Sequence, residues 1–480
     1  MTAFRSLAFI GLFVAASSAV AADAIVEPVD MEMVKRHNNF GFTDEQIRTM
    51  FSRPLTVALD RNGLDRTMLK APPAAGIHPR VLFNPEDLPE ICARLQTTAA
   101  GKSVMAQIRK HLDRQLGEKG EQRAMYDALV AGNDAGLDAT KARSVAFVIL
   151  YECFRCLLDD DKAGGARAAA AVATLAKLTL SGIAAERAKL RNPAEANDFR
   201  VVAQGPTYEG TLGLMYDFAY GFMTAAQRDG VRAALVKGSA GMTYIGCESL
   251  FALNANTSNW IPWSSRMMFL TCALEGEPGH DAEAQKRCFR AMTAFIGSFF
   301  DTGEAYEGWG KNFMFIEHLV IMAKRGTDVV AAQRLRNVFH RYFMAAMNPW
   351  GGGFTFCDSL GGTDQPYGRT CDTVMYHRLY PQDPFGDFVY RNQIKDDYAN
   401  LTPGGRVNTS HPFSVTDAVC SAIFACDFDA AKTWQQAQQA VVKDQPLSLF
   451  SQPLSLLRFL RVRLHRRIRL KYLRHGNSIL

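Results

Sequence analysis

Two short stretches of this chain combine polar and aromatic side chains in a way that suits a carbohydrate. Asn259 and Trp260 place an amide beside an indole, and the later run Tyr306-Glu307-Gly308-Trp309 places a phenol and a carboxylate beside another indole. Amides, phenols and carboxylates can hydrogen-bond sugar hydroxyls, and indole rings offer flat apolar faces for pyranose rings. These residue types therefore predict a protein that handles a polysaccharide.

Each of these residues also has a simpler structural interpretation. Asn259 is a good N-cap for a helix that begins near Trp260, because its side chain can accept a hydrogen bond from a free backbone N–H group. Tyr306 can pack at the end of a helical hairpin, and the tryptophans can belong to the core. The sequence alone leaves these alternatives open.

A partial repeat suggests that two of the loops lie at the same end of the molecule. The run Thr207-Tyr208-Glu209-Gly210 resembles the later run Ala305-Tyr306-Glu307-Gly308. Helical hairpins arranged in a ring would place both loops on one rim. A chance match of three residues is the alternative explanation.

The segments that must position these residues are predicted to be helices. Helical patterns dominate from about Asn84 to Lys443, alternating β patterns are scarce, and Gly, Pro and Asn mark the loops. Thr224 and Gln227 have the spacing of a capping box at a helix start. The clearest predicted helices are Ser144–Leu158, Ala166–Leu180, Gly213–Phe222, Thr224–Lys237, Trp263–Leu274, Ala282–Phe300, Asn312–Ala323 and Val329–Met347. We therefore expect a mainly α protein built of helical hairpins.

The N-terminus has the features of a cleavable export signal. Arg5 is followed by an apolar run from Leu7 to Val14 and then by small residues that include Ala19-Val20-Ala21. This is the pattern of a signal peptide, so we expect residues 1–22 to be removed and the mature protein to be periplasmic or secreted. No later stretch has the length of a transmembrane helix.

The ten cysteines leave two interpretations open. An exported protein can form disulfides, but several cysteines, such as Cys272, lie among apolar neighbours as buried free thiols do. Cys153 and Cys156 have C-x-x-C spacing inside a helical run. Because no second pair follows at ligand spacing, the sequence predicts no metal site.

The positive charge of the chain is concentrated at its C-terminus. The formal net charge is +6, and residues 445–480 contain eight lysines and arginines and no acidic residue. The rest of the protein is therefore close to neutral. From Arg461 to Tyr472 basic and apolar residues alternate, which indicates at most a short β segment. This segment is either a poorly ordered tail or a surface for polyanions or anionic membranes.

Four places in the sequence resemble motifs of one enzyme family. They are His78-Pro79-Arg80-Val81-Leu82-Phe83 with Asp87-Leu88, Leu212 to Phe218, Asn259-Trp260 with the run from Asp301 to Gly308, and Phe356-Cys357-Asp358-Ser359. In order and spacing they resemble the heparinase II/III-like polysaccharide lyases. The resemblance implies an (α/α) toroid over residues 76–445, preceded by an N-terminal extension (23–75) and followed by a basic tail (446–480) that starts a truncated β-sandwich. The expected fold is an incomplete toroid of helical hairpins with at most a vestigial β segment.

The resemblance also implies cleavage of a uronate-containing glycan by β-elimination. In this reaction the uronate carboxylate is neutralised, a base removes the proton at C5, and an acid protonates the leaving oxygen. By the resemblance, Asn259 neutralises the carboxylate with help from Arg266, and Tyr306 transfers the proton. His318 is a further catalytic candidate, with a core or surface histidine as the alternative. The chemistry requires neither a metal nor an organic cofactor.

The remaining candidate residues would hold the glycan. Indole rings would pack against sugar rings, while phenol and carboxylate groups would bind hydroxyls. The predicted substrate-binding residues are Arg266, Trp260, Trp263, Trp309, Tyr208, Glu209 and Glu307. The expected partner is an anionic polysaccharide and not a nucleic acid, and the sequence does not indicate an oligomeric state.

Departures from the family pattern lead to two alternative functions. The family has a tyrosine shortly after the Glu-Gly pair, whereas this chain has Asn312 and Phe313 there. One alternative is a toroid that binds glycans without cleaving them. The other is a toroid glycoside hydrolase, which needs two carboxyl groups beside the scissile bond. Glu209 and Glu307 are the candidate pair for that reaction.

Overall fold

A computed structural model describes the protein over residues 43–45, 64–133, 139–188, 209–242, 267–286, 288–289, 316–327, 370–390, 415–429 and 436. Over these residues the chain is mostly helical and contains no strand, which confirms the expected mainly α class. The predicted signal peptide, the predicted helix Val329–Met347 and the basic tail lie outside the described residues. No described helix combines the length and apolar character needed to cross a membrane.

Twelve α-helices occur in the described part of the chain. They are α1 (Leu88–Thr97), α2 (Ala99–Leu116), α3 (Arg123–Val130), α4 (Ala139–Asp159), α5 (Lys162–Ala188), α6 (Glu209–Ala219), α7 (Ala225–Met242), α8 (Met267–Ala273), α9 (Ile316–Ala323), α10 (Thr370–Leu379), α11 (Pro384–Val389) and α12 (Val415–Ile423). Short 3-10 turns precede α1 and follow α6. Helical backbone also occurs at 282–286 and 288–289, within the predicted helix Ala282–Phe300.

Side-chain caps define several helix starts. The backbone N–H of Thr224 donates to Gln227 Oε1 (2.9 Å), and the N–H of Gln227 donates back to Thr224 Oγ1 (3.3 Å). This reciprocal pair confirms the capping box predicted for α7. Thr98 Oγ1 accepts from the N–H of Gly101 at the start of α2 (2.9 Å). Such bonds satisfy N–H groups that have no partner within the helix.

Large apolar side chains fill the space between the helices. In α4 every side chain from Val145 to Leu150 is buried, and Phe154 packs against Phe218 of α6 with ring centroids 5.4 Å apart. Helix α4 packs on α6, α6 on α8, α9 on α10, α10 on α12, and α12 on α4. Helices α8 and α9 meet where Phe269 contacts His318 (ring centroids 5.1 Å apart). Helix α5 packs against α4 and α6, and helix α7 packs against α6 and α8.

A segment near the N-terminus crosses the ends of several helices. We call residues 64–94 the strap. At one end of the strap, the Asp65 N–H donates to the carbonyl oxygen of Leu379 (2.8 Å), the last residue of α10. At the other end, the Arg94 guanidinium donates to the carbonyl oxygen of Ile423 (2.7 Å), the last residue of α12. Both bonds satisfy carbonyl groups that a helix end leaves free.

The middle of the strap contacts two more helix ends. Lys324, which follows the last residue of α9, donates from Nζ to Asn84 Oδ1 (2.9 Å). The backbone N–H of Arg80 donates to the carboxylate of Asp217 in the last turn of α6 (2.9 Å). The strap is therefore held by side chains as well as by backbone carbonyls.

Two further contacts extend this pattern to α8 and α4. His78 Nε2 lies 2.8 Å from Oε1 of Glu277, which follows α8, and Cys92 Sγ lies 3.7 Å from the carbonyl oxygen of Leu158 near the end of α4. Helices α4, α6, α8, α9, α10 and α12 thus all end beside the strap. The helices that end at this side of the molecule begin at the opposite side.

Candidate functional site

The residues predicted to form the site fall mainly outside the described part of the chain. The predicted residues that lie wholly outside it are Tyr208, Asn259, Trp260, Trp263, Arg266, Tyr306, Glu307 and Trp309. Glu209 is the first residue of α6, but its side chain is not among those described. His318 lies in α9 and is fully described. The roles assigned to the other residues stay predictions.

The predicted residues share a position in the chain relative to the helices. Tyr208 and Arg266 immediately precede the described residues of α6 and α8 in the chain, and Tyr306 precedes those of α9 by ten residues. His318 is the third residue of α9. Every predicted site residue therefore precedes the start of one of the helices that end beside the strap, or lies in its first turn.

The first turns of α9, α10 and α12 contact one another through carboxylates. Asp372 Oδ1 accepts from the backbone N–H of Ile316 at the start of α9 (3.4 Å). Asp417 Oδ1 accepts from the backbone N–H of Cys371 at the start of α10 (2.6 Å). Both carboxylates are buried, and a negative charge is favourable at the positive end of a helix dipole. The starts of α9 and α10 are thus each capped by a side chain of the neighbouring helix.

His318 lies in the protein interior beside these helix starts. The residue is 2% exposed, its ring packs against Phe269, and its Nδ1 atom is 3.7 Å from Glu317 Oε1. This burial favours the core interpretation of His318, because a catalytic histidine needs contact with the substrate. Its catalytic role stays a prediction.

Three buried residues in the same region could hold a metal ion. Glu317, Cys371 and Asp372 each offer a ligand atom, and these atoms all lie within 4.8 Å of one another. The sequence predicted no metal site, because the two helices that carry these residues are far apart in the chain. Adjacent pairs of residues, Glu317-His318 and Cys371-Asp372, form no recognisable ligand motif. The ligand atoms of these residues come close together only in the folded chain.

A second polar cluster lies at the opposite side, where the strap meets α6 and α8. His78 Nδ1 is 2.7 Å from Asp217 Oδ1, and His78 Nε2 is 2.8 Å from Glu277 Oε1. The three side chains are at most 3% exposed. Burial lowers the pKa of the His78 imidazole, but the hydrogen bonds to the two carboxylates outweigh burial and raise the pKa overall. The two neighbouring carboxyl groups thus favour the protonated form of the imidazole.

The partners of these carboxylates show what the cluster does. Asp217 also accepts from the backbone N–H groups of Arg80 and Val81, and Glu277 accepts from the Tyr216 hydroxyl (2.7 Å). Burial raises the pKa of Glu277, but its hydrogen bonds to His78 and Tyr216 lower the pKa overall. Both ring nitrogens of His78 are engaged, and neither is left to act on a substrate. We interpret the cluster as an anchor for the strap.

Lys324 is a buried amine in the same region. It is 3% exposed, and burial lowers its pKa to about 8. Among the acidic residues, Asp87 opposes this lowering of the pKa most strongly. At neutral pH the amine remains mostly protonated and donates to Asn84, so Lys324 also serves to hold the strap.

The chain was compared with protein-family models and with curated proteins, and neither comparison gave a match. The function is therefore argued from the residues and contacts of this chain. The strap occupies one end of the group of helices.

Proposed function

We propose that the protein is an exported (α/α)-toroid polysaccharide lyase that binds a uronate-containing glycan at the end where its helices begin. One observation carries this proposal. Helices α4, α6, α8, α9, α10 and α12 end beside the strap, and the predicted site residues precede the starts of three of these helices. A site at the other end of the same helices would gather residues from several separate loops.

The packing of the helices supports a toroid. Helices α4, α6, α8, α9, α10 and α12 contact one another in chain order, and the last of them contacts the first. A closed ring of helices that share one direction is the inner layer of an (α/α) toroid. Helices α5 and α7 would belong to the outer layer, because each alternates in the chain with helices of the ring and packs against them.

Chain connectivity supports the position of the site. Arg266 is joined by one peptide bond to Met267, the first residue of α8, and Tyr208 is joined in the same way to Glu209 of α6. These two candidate residues therefore adjoin two helices of the ring in the chain. The strap occupies the opposite end, which leaves the end with the helix starts for a glycan.

The proposed chemistry assigns one role to each type of side chain. The Asn259 amide, with Arg266, would neutralise the uronate carboxylate and so acidify the proton at C5. Tyr306 would remove this proton or donate one to the leaving oxygen. Neutralisation and proton transfer together cleave the glycosidic bond and leave an unsaturated uronate, without a metal or an organic cofactor.

An assay on uronate glycans tests the proposal. The purified protein is incubated with alginate, heparan sulfate and other uronate polysaccharides, and the ultraviolet absorbance of the unsaturated product is followed. We expect turnover by the wild type and a loss of about a hundredfold or more in Tyr306→Phe, since positioned proton transfer contributes at least this much. Tyr126→Phe is the matched control, because it removes the same hydroxyl from a buried tyrosine in α3.

The same assay separates the alternatives. Reducing sugar released without the ultraviolet signal would indicate a hydrolase, and Glu209 and Glu307 would then be tested as its carboxyl pair. Glycan binding without product would indicate a toroid that has lost catalysis, as Phe313 suggests. Full activity in Tyr306→Phe would exclude the proposed proton transfer. Sequencing the N-terminus of the exported protein tests removal of residues 1–22.

A further inference from the structure

Two neighbouring helix starts bring three metal-binding side chains together in the interior. Glu317 lies in the first turn of α9, and Cys371 and Asp372 lie in the first turn of α10. All three residues are buried, and one ligand atom of each lies within 4.8 Å of the other two. In a tetrahedral zinc site with bonds of about 2.0–2.3 Å, ligand atoms are about 3.5 Å apart. Small side-chain movements would close the remaining distance.

The donor types indicate which ion fits. Calcium and magnesium bind oxygen ligands, whereas zinc also accepts thiolate and imidazole ligands. A thiolate from Cys371 with two carboxylates therefore favours zinc. The His318 Nδ1 atom lies 3.7 Å from Glu317 Oε1, beside the three residues whose ligand atoms all lie within 4.8 Å of one another. Three residues thus supply the sulfur and oxygen donors of the site.

The backbone at this position is held in place before any ion binds. The N–H of Cys371 donates to Asp417 Oδ1 (2.6 Å), which fixes the start of α10 against α12. Asp372 Oδ1 accepts from the N–H of Ile316 (3.4 Å). A carboxylate has two oxygens with several lone pairs, so Asp372 can accept this bond and still ligate an ion. The ligands are thus carried by helices whose relative position is already set.

We propose that Glu317, Cys371 and Asp372, with His318 beside them, bind one zinc ion that joins the starts of α9 and α10. On binding, the Cys371 thiol loses its proton to solvent as the sulfur–zinc bond forms. The ion has a structural role. It fixes the ends of the two segments that lead into α9 and α10, one of which contains Tyr306. Its effect on turnover rests on the proposed lyase function, whereas zinc binding itself does not.

Metal binding can be measured directly on the full-length protein. The protein is stripped with a chelator, dialysed, and titrated with zinc chloride by calorimetry, and its metal content is determined after reconstitution. Cobalt chloride is then used as a spectroscopic probe, because cobalt bound to a thiolate absorbs strongly in the near ultraviolet. We expect one zinc ion per chain and a cobalt–thiolate band in the wild type.

Variants assign the ion to this site. Cys371→Ser is expected to abolish the cobalt–thiolate band, and both Cys371→Ser and Asp372→Asn should weaken zinc binding by more than about tenfold. Cys272→Ser is the matched control, since Cys272 is also a buried free thiol but lies near the end of α8. It should retain the band and the affinity. Circular dichroism of each variant checks that it is folded.

Several outcomes would overturn the zinc proposal. They are a wild-type protein that retains no stoichiometric zinc, a cobalt complex without the thiolate band, and a Cys371→Ser variant with unchanged binding. The first two need only the wild type, so a variant that fails to fold does not prevent the test. Lyase activity in a protein without zinc sites would leave the proposed function standing, and zinc binding in an inactive protein would leave this inference standing.

Discussion

At the residue scale, His78 and Asp217 form the contact through which the strap is anchored most directly to α6. Asp217 accepts hydrogen bonds from the His78 ring and from the backbone N–H groups of Arg80 and Val81, and its side chain is fully buried. The loss of one partner from such a contact leaves buried polar groups unsatisfied. Disruption of this contact is therefore expected to lower the free energy of unfolding.

Replacement of Asp217 by Asn tests this anchor. The amide keeps the shape of the side chain but removes the charge that faces His78 and leaves a donor where acceptors are needed. We expect the free energy of unfolding to fall by about 3–5 kcal/mol, as for other broken buried pairs. Chemical denaturation followed by circular dichroism measures the change. In the control Asp229→Asn, an exposed carboxylate of α7 is neutralised, and the change should stay below about 1 kcal/mol.

The His78 contact also predicts a pH dependence of stability. The pKa of His78 is raised on folding, so its contribution is complete below the ordinary value of 6.5 and is lost as pH rises through the raised pKa. The pKa of Glu277 is lowered, so its contribution is complete above the ordinary value of 4.5 and is lost as pH falls through the lowered pKa. The two contributions are therefore both complete between these ordinary values.

A histidine variant isolates this effect. We expect the difference in melting temperature between the wild type and His78→Gln to be largest between pH 4.5 and 6.5 and to decrease as the solution becomes alkaline. Glutamine can donate a hydrogen bond but has no titratable charge. Differential scanning calorimetry of both proteins, from pH 4.5 into the alkaline range, measures the difference in melting temperature. A difference that is constant with pH would show that the pKa of His78 is the same in the folded and the unfolded protein.

At the element scale, close packing of α6 and α8 depends on a glycine. A methyl group added to Gly213 would lie 2.5 Å from the backbone oxygen of Phe269 and 2.8 Å from the nitrogen of Leu270. Backbone atoms cannot move aside as the end of a flexible side chain can. The two helices approach closely at this point because Gly213 has no side chain.

Two glycine substitutions separate packing from helix propensity. Gly213→Ala should lower the free energy of unfolding by about 1–3 kcal/mol, because overpacking forces the two backbones apart. Gly230→Ala, in α7, meets no atom within 4 Å and should raise it by about 0.5–1 kcal/mol through the better helix propensity of alanine. Denaturation midpoints of both variants provide the test. Destabilisation by Gly230→Ala, or none by Gly213→Ala, would contradict the packing argument.

Local sequence patterns predicted many of the described helices. The predicted helices at 144–158 and 166–180 lie inside α4 and α5, and the one at 224–237 begins at the N-terminal cap of α7 and otherwise lies inside it. Each observed helix extends beyond the predicted residues, because tertiary packing stabilises turns whose local pattern is weaker. The capping box at Thr224 was identified because it depends on residues close together in the chain. Short segments of sequence thus determine where a helix forms and which residues cap it.

At the scale of the whole molecule, the strap connects helices that are far apart in the chain. It contacts the ends of α4 and α6 as well as the ends of α10 and α12. These contacts close the group of helices between its first and last members. A change at one strap contact is therefore expected to lower the stability of all these helices together.

This connection predicts cooperative unfolding. In the Asp217→Asn variant, we expect far-ultraviolet circular dichroism, which reports helix content, and near-ultraviolet circular dichroism, which reports side-chain packing, to change at the same lowered temperature. The two transitions should also coincide in the wild type. An early transition in one signal alone would show that the strap is released without the helices.

The sequence and the tertiary structure determine different properties of this protein. The sequence alone determined the mainly α class and the helix-forming segments, because apolar spacing, caps and breakers act between residues a few positions apart. It also supplied the polysaccharide hypothesis, through residue types and a family resemblance. It could not show that His78 joins α6 to α8, or that Glu317 lies beside Cys371. Those contacts join residues distant in the chain, so they exist only after the helices have packed.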